Sequence, residues 1–361
     1  MGAELFFELI QVSLCNRERL SRQPSESEWM QLYALAEKQS LTGVLLEGVE
    51  KLKSIDSTIA IPQALLLNWI GERLQVEARN KLLNERTKEL WGLLQEAGFR
   101  SCVLKGQGTA LYYPHPEYRL SGDIDIWVEG NRDKVLSYIK TGGYSTDGID
   151  VQHTNVKVFN DVEVEVHFLP SFMYNPFVNR RLQEFFNEKS NEEFNNINAN
   201  YGFARTKIDF DIVFSLVHIY RHIFSEGIGL RQLMDYYYIL CNSSQSQRAK
   251  AFEILCALHM KSFAEGVMWI LQSSFGMKNE YMLCPVNKTH GEFLLSEILT
   301  AGNFGHYDER MKRIDHHKRF ARGVIQFKKN LRFVSFYPSE VLWSPFWKLW
   351  HWCWRKSKDY L

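Results

Sequence analysis

The sequence predicts an α+β fold in which a small sheet is flanked by N-terminal and C-terminal helical regions. Apolar residues recur at helical spacing through the first hundred positions, with Leu5, Leu9, Val12 and Cys15 on one stripe and Trp29, Leu32, Tyr33, Leu35 and Ala36 on the next. After Gly98 the period falls to two, most clearly at Asp123-Ile124-Asp125-Ile126-Trp127-Val128 and at Val162-Glu163-Val164-Glu165-Val166-His167. From Asp209 the helical period returns. The expected division is therefore a helical region at 1–98, an α/β core at 99–205 and a C-terminal helical domain at 206–361. A chain of 361 residues, 45% hydrophobic and 14% aromatic, has the material for a substantial core.

In the N-terminal region, Pro24-Ser25 opens the second helix, a third runs from Thr42 to about Leu52, and Pro62 opens a fourth that Gly98 ends. That last segment is about nine turns long if unbroken, with Gly71 the position where a break is open. Its length suits a scaffold. Arg100 to Leu104 reads as a short strand, and Lys105 to Tyr113 as a glycine-containing turn entering a helix that Pro114 and Pro116 close. Asn131 caps a helix to Thr141, and Gly142-Gly143 breaks it. Val156 to Phe159 and Val162 to His167 are expected to form a hairpin about Asn160-Asp161. Pro170 to Tyr201 shows poor periodicity and is expected to be an irregular, mobile segment over the site.

A net charge of +1 gives no global field for nucleic acid. The six cysteines are scattered without a Cys-x-x-Cys pair, which argues for a reducing compartment and against zinc. Glu4 and Glu8 interrupt the N-terminal apolar stretch, so neither a signal peptide nor a membrane span is expected, and a cytoplasmic location is.

The chemistry is concentrated at Asp123 and Asp125. On a strand both carboxylates point to one face, and like charges so close need a cation. Hard oxygen ligands suit Mg²⁺, with Mn²⁺ as a substitute. The Val162–Val166 stretch offers a further acidic face through Glu163 and Glu165, with His167 beside them. Two carboxylates on one strand and a third on its neighbour suit a two-metal phosphoryl- or nucleotidyl-transfer site.

The series Leu104-Lys105-Gly106, Arg119, Gly122-Asp123-Ile124-Asp125 and Glu165-Val166-His167 resembles the bacterial uncharacterised nucleotidyltransferase family of the DNA polymerase β-like superfamily. The resemblance runs on through Leu216-Val217-His218-Ile219-Tyr220-Arg221-His222 to Gly229-Leu230-Arg231-Gln232-Leu233-Met234-Asp235 and covers roughly residues 30 to 270. It implies a small mixed sheet, two catalytic metals and a nucleoside triphosphate donor, taken as ATP. On that resemblance Asp123, Asp125 and Glu165 are the catalytic metal ligands. Lys105, Gly106, Gly108, Arg119, Gly122, His167, His218 and His222 are the expected nucleotide-binding set. The superfamily usually places a Gly-Ser pair before the Asp-x-Asp. Here its nearest equivalent, Lys105-Gly106-Gln107-Gly108-Thr109, lies further upstream and lacks the serine.

Outside that set the readings stay open. Arg119 suits either a structural pairing with a carboxylate or a clamp on a triphosphate oxygen. Arg231 and Asp235, at i and i+4, are expected to pair as an interdomain brace, with substrate binding as the second role. The basic run Arg310, Lys312, Arg313, His316, His317, Lys318, Arg319 and Arg322 precedes a stretch rich in tryptophan. There Trp343, Trp347, Trp350 and Trp354 share a face that is expected to dock on the protein itself, ahead of contact with a membrane surface. The expected activity is transfer of a nucleoside monophosphate, AMP, to a hydroxyl or phosphate acceptor on a small molecule, sugar, protein or RNA. The competing readings are a non-catalytic nucleotide- or partner-binding module and a kinase-like phosphotransferase.

Overall fold

The structure, a computed structural model, describes residues 2–310, 326–358 and 360. The chain opens with helices α1 (Gly2–Ser13), α2 (Glu26–Lys38), α3 (Thr42–Ile55) and α4 (Gln63–Glu96). Ser25 caps α2 through a reciprocal box, its hydroxyl accepting from the Glu28 amide while the Glu28 carboxylate accepts from the Ser25 amide. α4 runs unbroken for 34 residues. Gly71 does not interrupt it. A side chain there would meet only open space, and buried Trp69, whose indole donates to the Thr42 carbonyl at 2.8 Å, anchors the turn before it.

The central sheet is built from β1 (Ser101–Val103), the short helix α5 (Gln107–Ala110), β2 (Ile124–Val128), α6 (Arg132–Thr141), β3 (Thr146–Asp147), β4 (His153–Val156) and β5 (Val164–His167). Its strand order is β1-β2-β5-β4-β3. Only β2 and β5 run parallel; the other neighbours are antiparallel, so the sheet is mixed. A parallel pair needs a crossover, and α6 with β3 and β4 supplies it. Ile124, Ile126 and Val128 join Val164, Val166, Leu83, Leu90 and Val135 in one apolar layer between the sheet and helices α4 and α6. The alternate residues face the other way, where the Trp127 ring lies 4.6 Å from that of Phe194.

The hairpin has a different turn from the one expected. Val156 pairs with Val164, so residues 157–163 form a longer connection in place of a two-residue turn at Asn160-Asp161. No glycine is present to relieve a tight turn, and the loop is tied to α4 instead. Arg86 grips the Asp161 carboxylate at 2.8 Å and Arg79 donates to its carbonyl at 2.6 Å.

The segment from Pro170 to Tyr201 is a second correction. Most of it is helix α7 (Pro176–Phe194), capped by Asn175 and followed by the hairpin β6 (Ile197–Asn198) and β7 (Phe203–Ala204). Val178, Leu182, Phe185 and Phe186 all become buried, a helical stripe that the surrounding Asn, Glu and Arg residues obscure in the sequence. Only 168–175 is irregular ahead of it.

Helices α8 (Ile208–Ser225), α9 (Leu230–Cys241), α10 (Gln245–Ala257), α11 (Lys261–Phe275), α12 (Lys288–Ala301) and α13 (Pro338–Ser357) follow. α1 packs into the same core as these helices, and Asn16 donates to both the Tyr237 hydroxyl and the Phe275 carbonyl at 2.8 Å. α13 docks as expected through part of its aromatic face, Trp347 stacking on Phe172 at 4.5 Å, but Trp350 stays 50% exposed. Arg310 pairs with Asp308; the rest of the basic run, Lys312 to Arg322, lies outside the described residues. Among the described residues no helix is long and apolar enough to cross a membrane.

Glu193, at the end of α7, has no exposed surface. It accepts from the Lys207 amide through one carboxylate oxygen and leaves the other without a partner. Burial, reinforced by Asp211 against the pull of that hydrogen bond, pushes its pKa up to about 8. The folded chain therefore holds a proton there that the unfolded chain releases near pH 4.3, and folding stability falls as pH rises from about 5 to about 8. In denaturant titrations across that window, Glu193→Gln should flatten the decline; an unchanged slope would refute the assignment.

Candidate active site

The parallel register sets Asp125 directly beside Glu165, and Asp123 stands just ahead of β2. Their carboxylates offer oxygens that lie within 4.8 Å of one another. Asp125 is 1% exposed. Two cations meet on one of its oxygens: Lys105 Nζ at 3.0 Å and His167 Nε2 at 2.9 Å. His167 also reaches Glu165 at 3.3 Å. Lys105 arrives there because β1 runs antiparallel to β2 and the Leu104 amide donates to the Asp125 carbonyl at 3.1 Å. Gly106, at φ +57°, then turns the chain away under the Asp123 carbonyl, a backbone conformation that a side chain would strain.

Crowding is visible in the proton affinities. Repulsion from Asp125, together with burial, raises the Asp123 pKa. Burial acts against the charge of Glu165, yet His167 and Lys105 hold its pKa down to about 2. Burial likewise opposes the imidazolium of His167, but hydrogen bonds to Asp125 and Glu165 carry its pKa up to about 9. Lys105 is half-buried, and Asp125, Asp123 and Glu165 keep it charged against that burial.

The carboxylates open into a cleft of about 440 Å³. Lys105, Gly106, Arg119, Gly122, Glu165 and His167 line one side, and α8 and the start of α9 line the other with His218, Arg221, His222 and Arg231. Gly108 does not line the cleft; it packs against the Val103 carbonyl and Arg205. His218 and His222 face each other with rings 4.2 Å apart. Burial and the nearby Lys105 push the His218 pKa well down, so it is neutral there. Among the described residues, this pair joins no metal-capable group of three; those groups are Asp123-Asp125-Glu165 and His153-Glu165-His167.

The ion pair expected between Arg231 and Asp235 is instead made by Arg119. Its Nε and Nη2 grip both Asp235 oxygens at 2.7 and 2.8 Å, its Nη1 donates to Ser121, and Tyr113 donates to the same carboxylate at 2.6 Å. The planar fork reaches both oxygens at once, which an arginine one helical turn away on the same helix does not match here. This buried bridge braces the sheet region against α9. Among the described residues Arg231 is left with one hydrogen bond, Nη1 to the Leu120 carbonyl at 3.3 Å, its guanidinium lies 5.9 Å from the Phe304 ring centroid, and its Nε has no hydrogen-bond partner. Burial, with Arg119 adding repulsion, lowers its pKa.

The aromatic residues of one wall, Phe172, Tyr174 and Trp347, escaped the sequence reading as cleft lining. Phe172 and Tyr174 hold the Arg221 guanidinium at 4.0 and 3.8 Å from their ring centroids, and Trp347 closes the stack. These residues come from a loop, α8 and α13, and no local pattern joins them. His153, 5.1 Å from His167 between ring centroids, was also missed.

A protein family described as an uncharacterised nucleotidyltransferase matches this chain over residues 25–276, well over half its length. No curated protein matches it.

The exchange of partners at α9 gives an expected contrast in stability. Arg119→Ala leaves the Asp235 carboxylate buried and unpaired and should cost about 3–5 kcal/mol. Arg231→Met removes a half-buried cation that has no ion-pair partner among the described residues, so the ligand-free protein should be unchanged or more stable. Chemical denaturation of the two variants checks this, and a large loss in Arg231→Met would place it in the brace.

Proposed function

This chain belongs to the uncharacterised nucleotidyltransferase family, and from that premise we propose that it moves a nucleoside monophosphate from a nucleoside triphosphate to a hydroxyl or phosphate acceptor. Residues 99–205 are the catalytic core, of the polymerase β-like type, and the helical regions build the far walls. The observation that carries this reading is the convergence of Asp123, Asp125 and Glu165 at the mouth of a cleft with cations on its opposite side.

The donor set fits a divalent metal pair. All three ligands are hard oxygens, and the raised pKa of Asp123 marks a repulsion from Asp125, added to by burial, that Lys105 and Arg231 do not fully offset. Bound there, Mg²⁺ would supply charge neutralisation of the phosphates and activation of the acceptor oxygen. The protein's own groups do the rest. Lys105 and Arg231 meet the phosphates as cations, and Gly106 lets the ligand approach the backbone. His167 orients Asp125 and Glu165 through its hydrogen bonds. The acceptor oxygen forms a bond to the α-phosphorus, the bond from that phosphorus to the bridging oxygen breaks, and pyrophosphate leaves with the electron pair. With its carboxyl held at about 2, Glu165 takes up protons poorly, so its role is that of a ligand and the acceptor proton passes to solvent. Arg119, committed to Asp235, acts by positioning.

Two measurements test this. Asp125→Asn keeps the shape of the side chain and removes a charge, so the protein should fold, lose the Mg²⁺-dependent part of triphosphate binding, and lose turnover by a larger factor than binding. ATP is the first donor to try in a thermal-shift panel of the four triphosphates with and without Mg²⁺, followed by pyrophosphate release with any acceptor that turns over. Unchanged metal dependence together with full activity in Asp125→Asn would end the proposal. Separately, Arg231→Met should weaken triphosphate binding about ten- to a hundredfold and monophosphate binding less, the range of one charge-assisted contact. Equal losses for both ligands would take Arg231 off the terminal phosphates.

A further inference from the structure

Helix α13 is apolar on both faces. Its inner side presents Trp347 to Phe172 and the cleft. On the outer side Leu342, Phe346, Leu349 and Trp350 recur at i, i+4, i+7 and i+8, the stripe that a helix normally buries, yet each is between 50% and 67% exposed. Phe177, 73% exposed at the start of α7, extends the patch and meets the Trp343 ring at 6.3 Å. A continuous uncovered stripe of this kind marks an interaction surface.

Charge says what covers it. Residues 311–361 carry twelve lysines and arginines against three aspartates and glutamates, a net +9, so the rest of this +1 chain carries −8. Lys348 and Lys356 lie on α13 itself, and Lys356 sits 5.5 Å over the Trp352 ring, at the edge of the patch. We propose that the outer face of α13 docks on the surface of an anionic lipid bilayer, its apolar stripe entering the interface and its cations meeting the headgroups. Leucine, phenylalanine and tryptophan on one face with lysine and arginine beside them is the composition of a helix lying in a membrane plane, and anionic lipid adds attraction for each cation. The helix lies on the surface and does not span, since no described helix is long and apolar enough to cross. A second copy of the chain is a poorer occupant, because a two-fold contact on this helix would bring Lys348 and Lys356 of one copy towards those of the other. Single-stranded nucleic acid favours aromatic platforms along a basic groove, and here aliphatic side chains stand on a convex helix. This inference stands apart from the proposed transfer reaction. It does place the cleft, which Trp347 lines from the inner side, next to the membrane surface.

The test is flotation of the full chain with vesicles of phosphatidylcholine alone and of phosphatidylcholine mixed with phosphatidylglycerol. Association with the mixed vesicles only, weakening as salt is raised, is the expected result. The variant Leu342→Ser, Phe346→Ser, Leu349→Ser should lose about tenfold or more of that partition while its thermal melt stays that of the parent, because all three side chains are already exposed. Lys348→Glu with Lys356→Glu should abolish the preference for the anionic vesicles. Failure to float with either vesicle, equal flotation with both, or a serine variant that floats like the parent would overturn the proposal. So would a chain that ignores vesicles while the stripe holds it as a dimer or binds it to an oligonucleotide.

Discussion

One oxygen of Asp125 is the point on which the arrangement turns. It is buried, it stands within reach of two other carboxylates, and it is met from opposite elements by Lys105 and His167 at 3.0 and 2.9 Å. Negative charge so placed is costly unless it is compensated, and each compensating group needs a particular piece of the sheet. The antiparallel strand β1 delivers Lys105, and the parallel strand β5 delivers both Glu165 and His167. Those requirements explain why a sheet this small is mixed. Three carboxylates against two cations still leave a net negative centre, the electrostatic condition for a divalent ion.

Choice of the third carboxylate also follows from register. Glu163 and Glu165 share one face by strand period, and period alone does not separate them. The parallel pairing sets Glu165 against Asp125, while Glu163 lies before β5 begins and is exposed, contributing its carbonyl to the Ile124 amide at 3.0 Å. The resemblance had already selected Glu165, and the pairing supplies the physical reason.

Sequence signals were strong wherever the informative contacts were local. Alternation at 123–128 and 162–167, the helix opening at Pro24-Ser25 and the Gly106 turn all appear in the structure. Signals failed where a distant partner decided. Asp235 lies one turn from Arg231, yet its carboxylate is captured by Arg119, which is 116 positions away. α7 was hidden because its apolar stripe is diluted by polar residues on a face that nothing in the sequence marks as outer. The connection after β4 follows α4, through Arg86 and Arg79, and local turn chemistry gives no hint of that.

That exchange at Asp235 links stability to the proposed chemistry. By taking the carboxylate, Arg119 satisfies the buried anion and ties α9 to the sheet, and in doing so it leaves Arg231 as a half-buried cation on the cleft wall without an ion-pair partner among the described residues. A cation held this way is a standing cost to the ligand-free fold, and an anionic ligand relieves it. The groups assigned to the donor, namely Asp123, Asp125, Glu165, Lys105 and Arg231, all lie within the family-matched residues 25–276. Trp347, which closes the stack over Phe172 and Arg221, lies beyond them on α13. On the proposed function, donor chemistry thus belongs to the part of the chain shared with the family, while one wall of the cleft is completed from outside it. On the same proposal the acceptor is the element of the reaction that family membership constrains least, and Trp347 is a cleft-lining side chain that the matched residues do not supply.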